Sequence, residues 1–128
     1  MSGSAVISIV DDDDSVRDGI ADLVRSMGFS AMAFERAEHF LQSGRVDKTS
    51  CLITDKYMPG MGGLELYDRL TASGKRIPTI MITAFPEEAD RSRALQGGVL
   101  CYLAKPFDDH ELAACIQSAL GVAGPGTP

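Results

Sequence analysis

Apolar residues follow two alternating rhythms along this chain. Residues 5–10 form a short run rich in β-branched side chains, which predicts a strand, and the run ends abruptly on Asp11-Asp12-Asp13-Asp14. From Ser15 onward Val16, Ile20, Leu23, Val24 and Met27 recur at helical spacing, with Asp13 or Asp14 placed to cap the helix and Gly28 to stop it. The unit then returns. Residues 29–34 predict a second strand, and Ala37, Phe40 and Leu41 mark a short helix ending near Gly44. Cys51-Leu52-Ile53-Thr54 predicts a third strand, which again meets an acid, Asp55, ahead of the turn Met58-Pro59-Gly60-Met61-Gly62-Gly63. Leu64, Tyr67 and Leu70 give the next helix its apolar face, and residues 77–82 predict a fourth strand ending at Thr83-Ala84. The helix expected over residues 87–96 has a thin apolar face of Ala89, Ala94 and Leu95, so it should be held less firmly than its neighbours. Residues 99–103 predict a fifth strand, closed by Lys105-Pro106, and Leu112, Ile116, Ala119 and Leu120 stripe a last helix beginning near Asp108.

Strict alternation of strand and helix forces parallel pairing through right-handed crossovers, and strands that are apolar throughout are buried on both faces. The expected fold is a doubly wound α/β domain with a five-stranded parallel sheet and five helices. Ligands of such sheets gather at the carboxyl ends of the strands. Here those ends carry Asp11 and Asp12, Asp55, Thr83, and Lys105.

Composition narrows the function classes. With 128 residues the chain is long enough for one domain that buries roughly two-thirds of its unfolded surface without disulfides or a structural metal. Its 12 Lys+Arg against 18 Asp+Glu leave no electrostatic footprint for a phosphate backbone, so the domain is not expected to bind nucleic acid. No apolar stretch approaches the roughly 20 residues that cross a bilayer, and the N-terminus lacks a basic segment followed by an apolar one, so neither a membrane span nor secretion is expected. Cys51, Cys101 and Cys115 have no C-x-x-C spacing and sit in apolar segments, which points to small buried residues in a reducing cytoplasm and away from zinc.

The acids at the strand ends need explaining. Carboxylates about 4 Å apart repel by several kcal/mol per pair at an effective dielectric near 20, so they call for a cation or a shared proton. All-oxygen ligation with few protein groups and room for water suits Mg²⁺. An EF-hand beginning at Asp14 fails because Val16 and Arg25 occupy ligand positions. Lys105 adds a compact cation and Thr83 a hydroxyl donor. Together with an aspartate nucleophile they describe phosphoryl transfer to a carboxylate.

In order and spacing, Val10-Asp11-Asp12, the segment of residues 53–63 around Asp55, Met81-Ile82-Thr83-Ala84 and the segment of residues 102–107 ending Lys105-Pro106-Phe107 resemble the receiver domains of two-component response regulators, a flavodoxin-like, CheY-like fold. The resemblance runs over about residues 5–120, and Val16-Arg17 with Phe107-Asp108-Asp109 and Glu111-Leu112 is similar to the FixJ-type subgroup. It implies that Asp55 accepts a phosphoryl group and that Asp11, Asp12, Asp55 and the Tyr57 backbone carbonyl hold Mg²⁺. It further implies that Thr83, the Ala84 amide and Lys105 contact the phosphoryl group, that Thr83 and Tyr102 form a switch, and that the Lys105-Pro106 bond is cis. A sensor histidine kinase as partner and a phosphorylation-dependent homodimer follow from the same resemblance. So does an output domain, most naturally for transcription, beyond a Gly/Pro-rich linker at residues 121–128 that follows a receiver domain at residues 1–120. A stand-alone or phosphorelay receiver is the alternative.

A haloacid dehalogenase-type phosphatase also uses an aspartyl nucleophile, but it places a second acid two residues later, where this chain has Tyr57. The domain is therefore expected to catalyse only its own modification. A receiver fold kept only for docking would not need these acids, Thr83 and Lys105 together. Tyr57 and Phe85, two residues after Asp55 and Thr83, are both aromatic and are expected to shield an acyl phosphate from water. Lys56 should project along the opposite side of the strand and is given no role, and His39 and His110 are expected at the surface.

Overall fold

The computed structural model describes residues 5–121. The elements run β1 (Val6–Val10), α1 (Asp14–Ser26), β2 (Ser30–Phe34), α2 (Ala37–Gln42), a 3-10 turn (Val46–Lys48), β3 (Cys51–Asp55), α3 (Gly63–Ala72), β4 (Thr79–Thr83), α4 (Glu88–Gln96), β5 (Cys101–Ala104) and α5 (Asp109–Ala119). All four strand pairings are parallel and the order is β2-β1-β3-β4-β5. This is the doubly wound sheet that the alternation predicts. The 3-10 turn is an addition, too short to leave a periodic signal.

Side-chain alternation divides each central strand between two layers. Ile7 and Ile9 of β1, Cys51 and Ile53 of β3, and Ile80 and Ile82 of β4 pack against Ile20, Ala21 and Val24 of α1 and Leu112 and Ile116 of α5. On the other face Val10 and Leu52 meet Ala37 and Phe40 of α2 and Leu66 and Leu70 of α3, while Met81 and Tyr102 meet Ala94 of α4. Both faces are thus covered, but only for β1, β3 and β4. The edge strands differ, because β2 and β5 each have a neighbour on one side alone and several of their residues reach solvent.

Helix ends follow the sequence signals. The Asp13 side chain accepts from the Val16 N–H at 3.1 Å, and Asp108 and Glu111 form a reciprocal capping box at the start of α5. By contrast α4 has no side-chain cap and buries Ala94 alone; Ala89, expected on its apolar face, is exposed, and Leu95 is half-buried. Cys51 is buried, and desolvation pushes its thiol up to about 12, whereas Cys101 and Cys115 are only partly buried, a correction to their expected place in the core. Among the described residues no helix is long and apolar enough to cross a membrane. Of the linker expected at residues 121–128, all but Gly121 lies outside the described residues.

Candidate functional site

Pairing register brings the strand-end residues together. Val10 pairs with Thr54, so Asp11 and Asp55 leave neighbouring strands side by side, and Thr83 pairs with Ala104, which sets Lys105 one residue beyond. The Lys105 N–H donates to the Thr83 carbonyl at 2.8 Å, and the Lys105-Pro106 bond is cis. Three glycines after Asp55, Gly60, Gly62 and Gly63, allow the loop to close on this edge. Gly60 takes a φ of 78°, a turn conformation that side chains disfavour, and a Cβ on Gly63 would overlap the Asp55 carbonyl oxygen at the start of α3.

Oxygens of Asp11, Asp12 and Asp55 all lie within 4.8 Å of one another. Asp11 is 0% exposed and Asp55 is buried beside it, while Asp12 faces solvent. Lys105 Nζ bridges the pair, donating to Asp55 Oδ2 at 3.0 Å and lying 3.0 Å from Asp11 Oδ2. That second contact lacks hydrogen-bond alignment, so Asp11 Oδ2 is buried with no hydrogen-bond partner. Asp11 Oδ1 accepts from the Asp13 N–H at 2.9 Å, Asp55 Oδ1 accepts from the Tyr57 N–H at 3.3 Å, and an Arg17 guanidinium donates to the Asp11 carbonyl at 2.7 Å. Burial raises the Asp11 carboxyl above its ordinary range; the Asp13 N–H and Lys105 pull the other way, and the Asp55 charge adds to the rise. Burial alone would lower the Lys105 ammonium, but its hydrogen bond to Asp55 and its ion-pair contact with Asp11 prevail and its pKa is raised. Three carboxylates against one ammonium leave two negative charges uncompensated. With oxygen donors only and one buried carboxylate oxygen lacking a hydrogen-bond partner, these residues fit a hard divalent cation such as Mg²⁺.

The response regulator receiver domain model matches residues 7–117. The chain belongs to the response regulator receiver family. It is 38% identical over 118 residues to nodulation protein W of Bradyrhizobium diazoefficiens, an overlap covering 92% of this chain and 52% of that protein. It is 35% identical over 121 residues to the transcriptional regulatory protein FixJ of Azorhizobium caulinodans, covering 94% and 57%. The solved structure of response regulator StyR superimposes with a TM-score of 0.86 at 38% identity, covering 94% of this chain and 61% of that one. The chain spans about half the length of the curated relatives it matches. This receiver domain is therefore FixJ-like, as the motifs imply, and its curated relatives include proteins described as transcriptional regulatory proteins.

Within the receiver fold the remaining expected residues fall at the same edge. Thr83 is buried at the end of β4, and its Oγ1 accepts from the Phe85 N–H at 3.0 Å, which keeps the hydroxyl hydrogen free to donate. Ala84 follows it at the surface. Tyr102 is buried between β4 and α4, and its hydroxyl has no hydrogen-bond partner. Tyr57 and Phe85 are 47% and 65% exposed and pack edge to face, with ring centroids 5.8 Å apart. His39 and His110 are exposed.

Two contributors escaped the sequence reading. Glu38 of α2 accepts from the Met61 N–H at 3.2 Å and so braces the loop after Asp55 from a distance of 23 residues. Lys56 does leave on the opposite side of β3, but it is buried and ion-paired with Asp90 of α4 at 2.7 Å. The one hint was a cation directly following a buried apolar strand; its partner left no local trace.

The raised Asp11 carboxyl yields a stability prediction with a definite sign. The folded chain holds this proton to higher pH than the unfolded chain, so folded stability falls as pH rises from the ordinary value of 3.8 through the raised one. Asp11→Asn keeps the acceptor for the Asp13 N–H and removes the buried charge. In chelator it should melt above the wild type at pH 7, with the gain shrinking as pH falls into the ordinary carboxylate range. A variant that melts lower at every pH would contradict this account of the cluster.

Proposed function

We propose that this receiver domain takes a phosphoryl group from the histidine of a sensor kinase onto Asp55. The observation that carries the reading is the convergence of the Asp11, Asp12 and Asp55 oxygens, with Lys105 on two of them. An Asp55 carboxylate oxygen attacks phosphorus, a P–O bond forms as the P–N bond breaks, and the departing imidazole nitrogen keeps the electron pair and takes a proton. Lys105, the Thr83 hydroxyl and the Ala84 N–H stabilise charge on the phosphoryl oxygens. Asp11, Asp12, Asp55 and the Tyr57 carbonyl would hold Mg²⁺, which supplies charge neutralisation for an anionic donor approaching these acids. The domain catalyses its own phosphorylation and dephosphorylation and turns over no metabolite.

The response runs through Thr83 and Tyr102. A phosphoryl group carrying about −1.5 to −2 charge draws the Thr83 hydroxyl toward Asp55 and away from the Phe85 N–H. Tyr102, buried with an unpartnered hydroxyl, then turns into the space vacated, and the surface of α4 and β5 changes. That surface would form a homodimer or a contact with an output domain. Relatives about twice as long as this chain include transcriptional regulators, so control of transcription in the cytoplasm is the use we assign. A receiver acting without its own output domain would run the same switch.

Intact mass after incubation with Mg²⁺ and acetyl phosphate tests the assignment. The wild type should gain one phosphoryl group, and Asp55→Asn or chelation should abolish the gain; an unaffected rate in either case would refute the site. A second expectation concerns lifetime. The Tyr57 and Phe85 rings offer no carboxamide or carboxylate to orient water at Asp55, so Tyr57→Asn and Phe85→Glu should hasten loss of the Asp55 phosphate on the order of tenfold. Decay measured at or below the wild-type rate would remove the shielding role.

A further inference from the structure

Lys56 is the one lysine or arginine that is buried among the described residues, at 7% exposure, and it directly follows the proposed phosphoacceptor. Its backbone is fixed: the N–H donates to the Ile82 carbonyl at 2.8 Å, and the carbonyl accepts from the Gly63 N–H at 2.9 Å. The side chain emerges on the α4 face. There Nζ donates to Asp90 Oδ2 at 2.7 Å and to the Tyr57 hydroxyl at 2.6 Å, and lies 3.9 Å from the Tyr57 ring centroid. Tyr57 packs on Phe85, and the Phe85 N–H donates to Thr83 Oγ1. A single ammonium therefore joins three parts: the loop after β3, the loop after β4, and the first turn of α4.

This matters because α4 has little else to hold it. It buries Ala94 alone and lacks a side-chain cap, whereas the pair with Lys56 is a largely desolvated ion pair, far from the exposed kind that contributes little. The hydrogen bond from Lys56 holds the Asp90 carboxyl below its ordinary range, as expected where the ionised form is the one being used. The contacts belong to a particular state. Thr83 is engaged with the Phe85 N–H and Tyr102 is turned inward, which is the arrangement that phosphorylation is proposed to undo.

We infer that Lys56 is a positioning residue that latches α4 through Asp90 to the loop beside Asp55, favouring the unphosphorylated arrangement and coupling the placement of α4 to occupancy of the acceptor. The inference rests on the reading of Asp55 as acceptor and adds a second link between the site and α4, beside Thr83 and Tyr102. Removing either partner should loosen α4 and lower the cost of reaching the phosphorylated arrangement. The two removals should not add, because both break one interaction.

The test compares wild type, Asp90→Ala, Lys56→Met and the double variant. Amide exchange across α4 is read without ligand, and beryllofluoride with Mg²⁺ is titrated as a phosphoryl analogue. Expected in each single variant are exchange across α4 faster by about tenfold, unchanged exchange in β4, and analogue binding tighter by about fivefold. The double variant should match the singles. Asp90→Ala strands a buried ammonium and is the one at risk of misfolding; Lys56→Met keeps the apolar stem and decides the question without it. Wild-type exchange and affinity in Lys56→Met, weaker analogue binding, or additive effects would overturn the latch. A wild type that binds no analogue and gains no phosphoryl mass would overturn the acceptor reading and the coupling with it, while the exchange data still report whether the ion pair holds α4.

Discussion

The Lys105 ammonium between the buried carboxylates of Asp11 and Asp55 is the constraint on which this architecture turns. Two acids at the carboxyl edge of adjacent strands repel each other and lose hydration, and neither penalty is met by the apolar layers beneath them. A single cation 3.0 Å from each makes the arrangement tolerable without making it neutral, since Asp12 adds a third negative charge nearby. The remaining imbalance is what suits the edge to a divalent cation and to an incoming anionic group. Everything else serves that placement: parallel pairing in register brings β1, β3 and β5 to one level, and the close approach at Gly63 lets the following loop fold back.

Alternation along the strands separates chemistry from response. Ile9 and Ile53 face α1 and α5, and two residues further on the same parity sets Asp11 and Asp55 on that side of their strands. Met81 and Tyr102 face α4, and parity carries Thr83 and Lys56 to that other side. The Asp55-Lys56 peptide thus lies where the two sides meet. A change at one residue reaches the other with no long relay, and α4, the α-helix with the fewest buried side chains, offers little resistance to it.

Much of this was legible in the sequence because it is periodic or local. Uninterrupted apolar runs between amphipathic ones dictated the parallel sheet, and the acids and Lys105 stood at strand ends where any such fold exposes its edge. Asp13 and Asp108 declared the starts of α1 and α5. What stayed hidden was pairing over distance. Lys56 is 34 residues from Asp90, in a chain with 18 acidic residues that are equally eligible on composition, and nothing local singles out Asp90. The brace from Glu38 to the Met61 N–H depends on how α2 packs, and a backbone amide carries no mark in sequence. The open edges of β2 and β5 depend on strand order, which the apolar pattern does not encode.

The most direct measure of the charge imbalance is a Mg²⁺ titration followed by amide NMR. The account predicts one saturable site, with Asp11, Asp12, Asp55, Tyr57 and Lys105 shifting together on a single binding curve and Asp11→Asn abolishing saturation. Absence of saturable shifts, or shifts spread along Asp13, Asp14 and Asp18 at the start of α1 while Asp55 and Lys105 stay still, would contradict it.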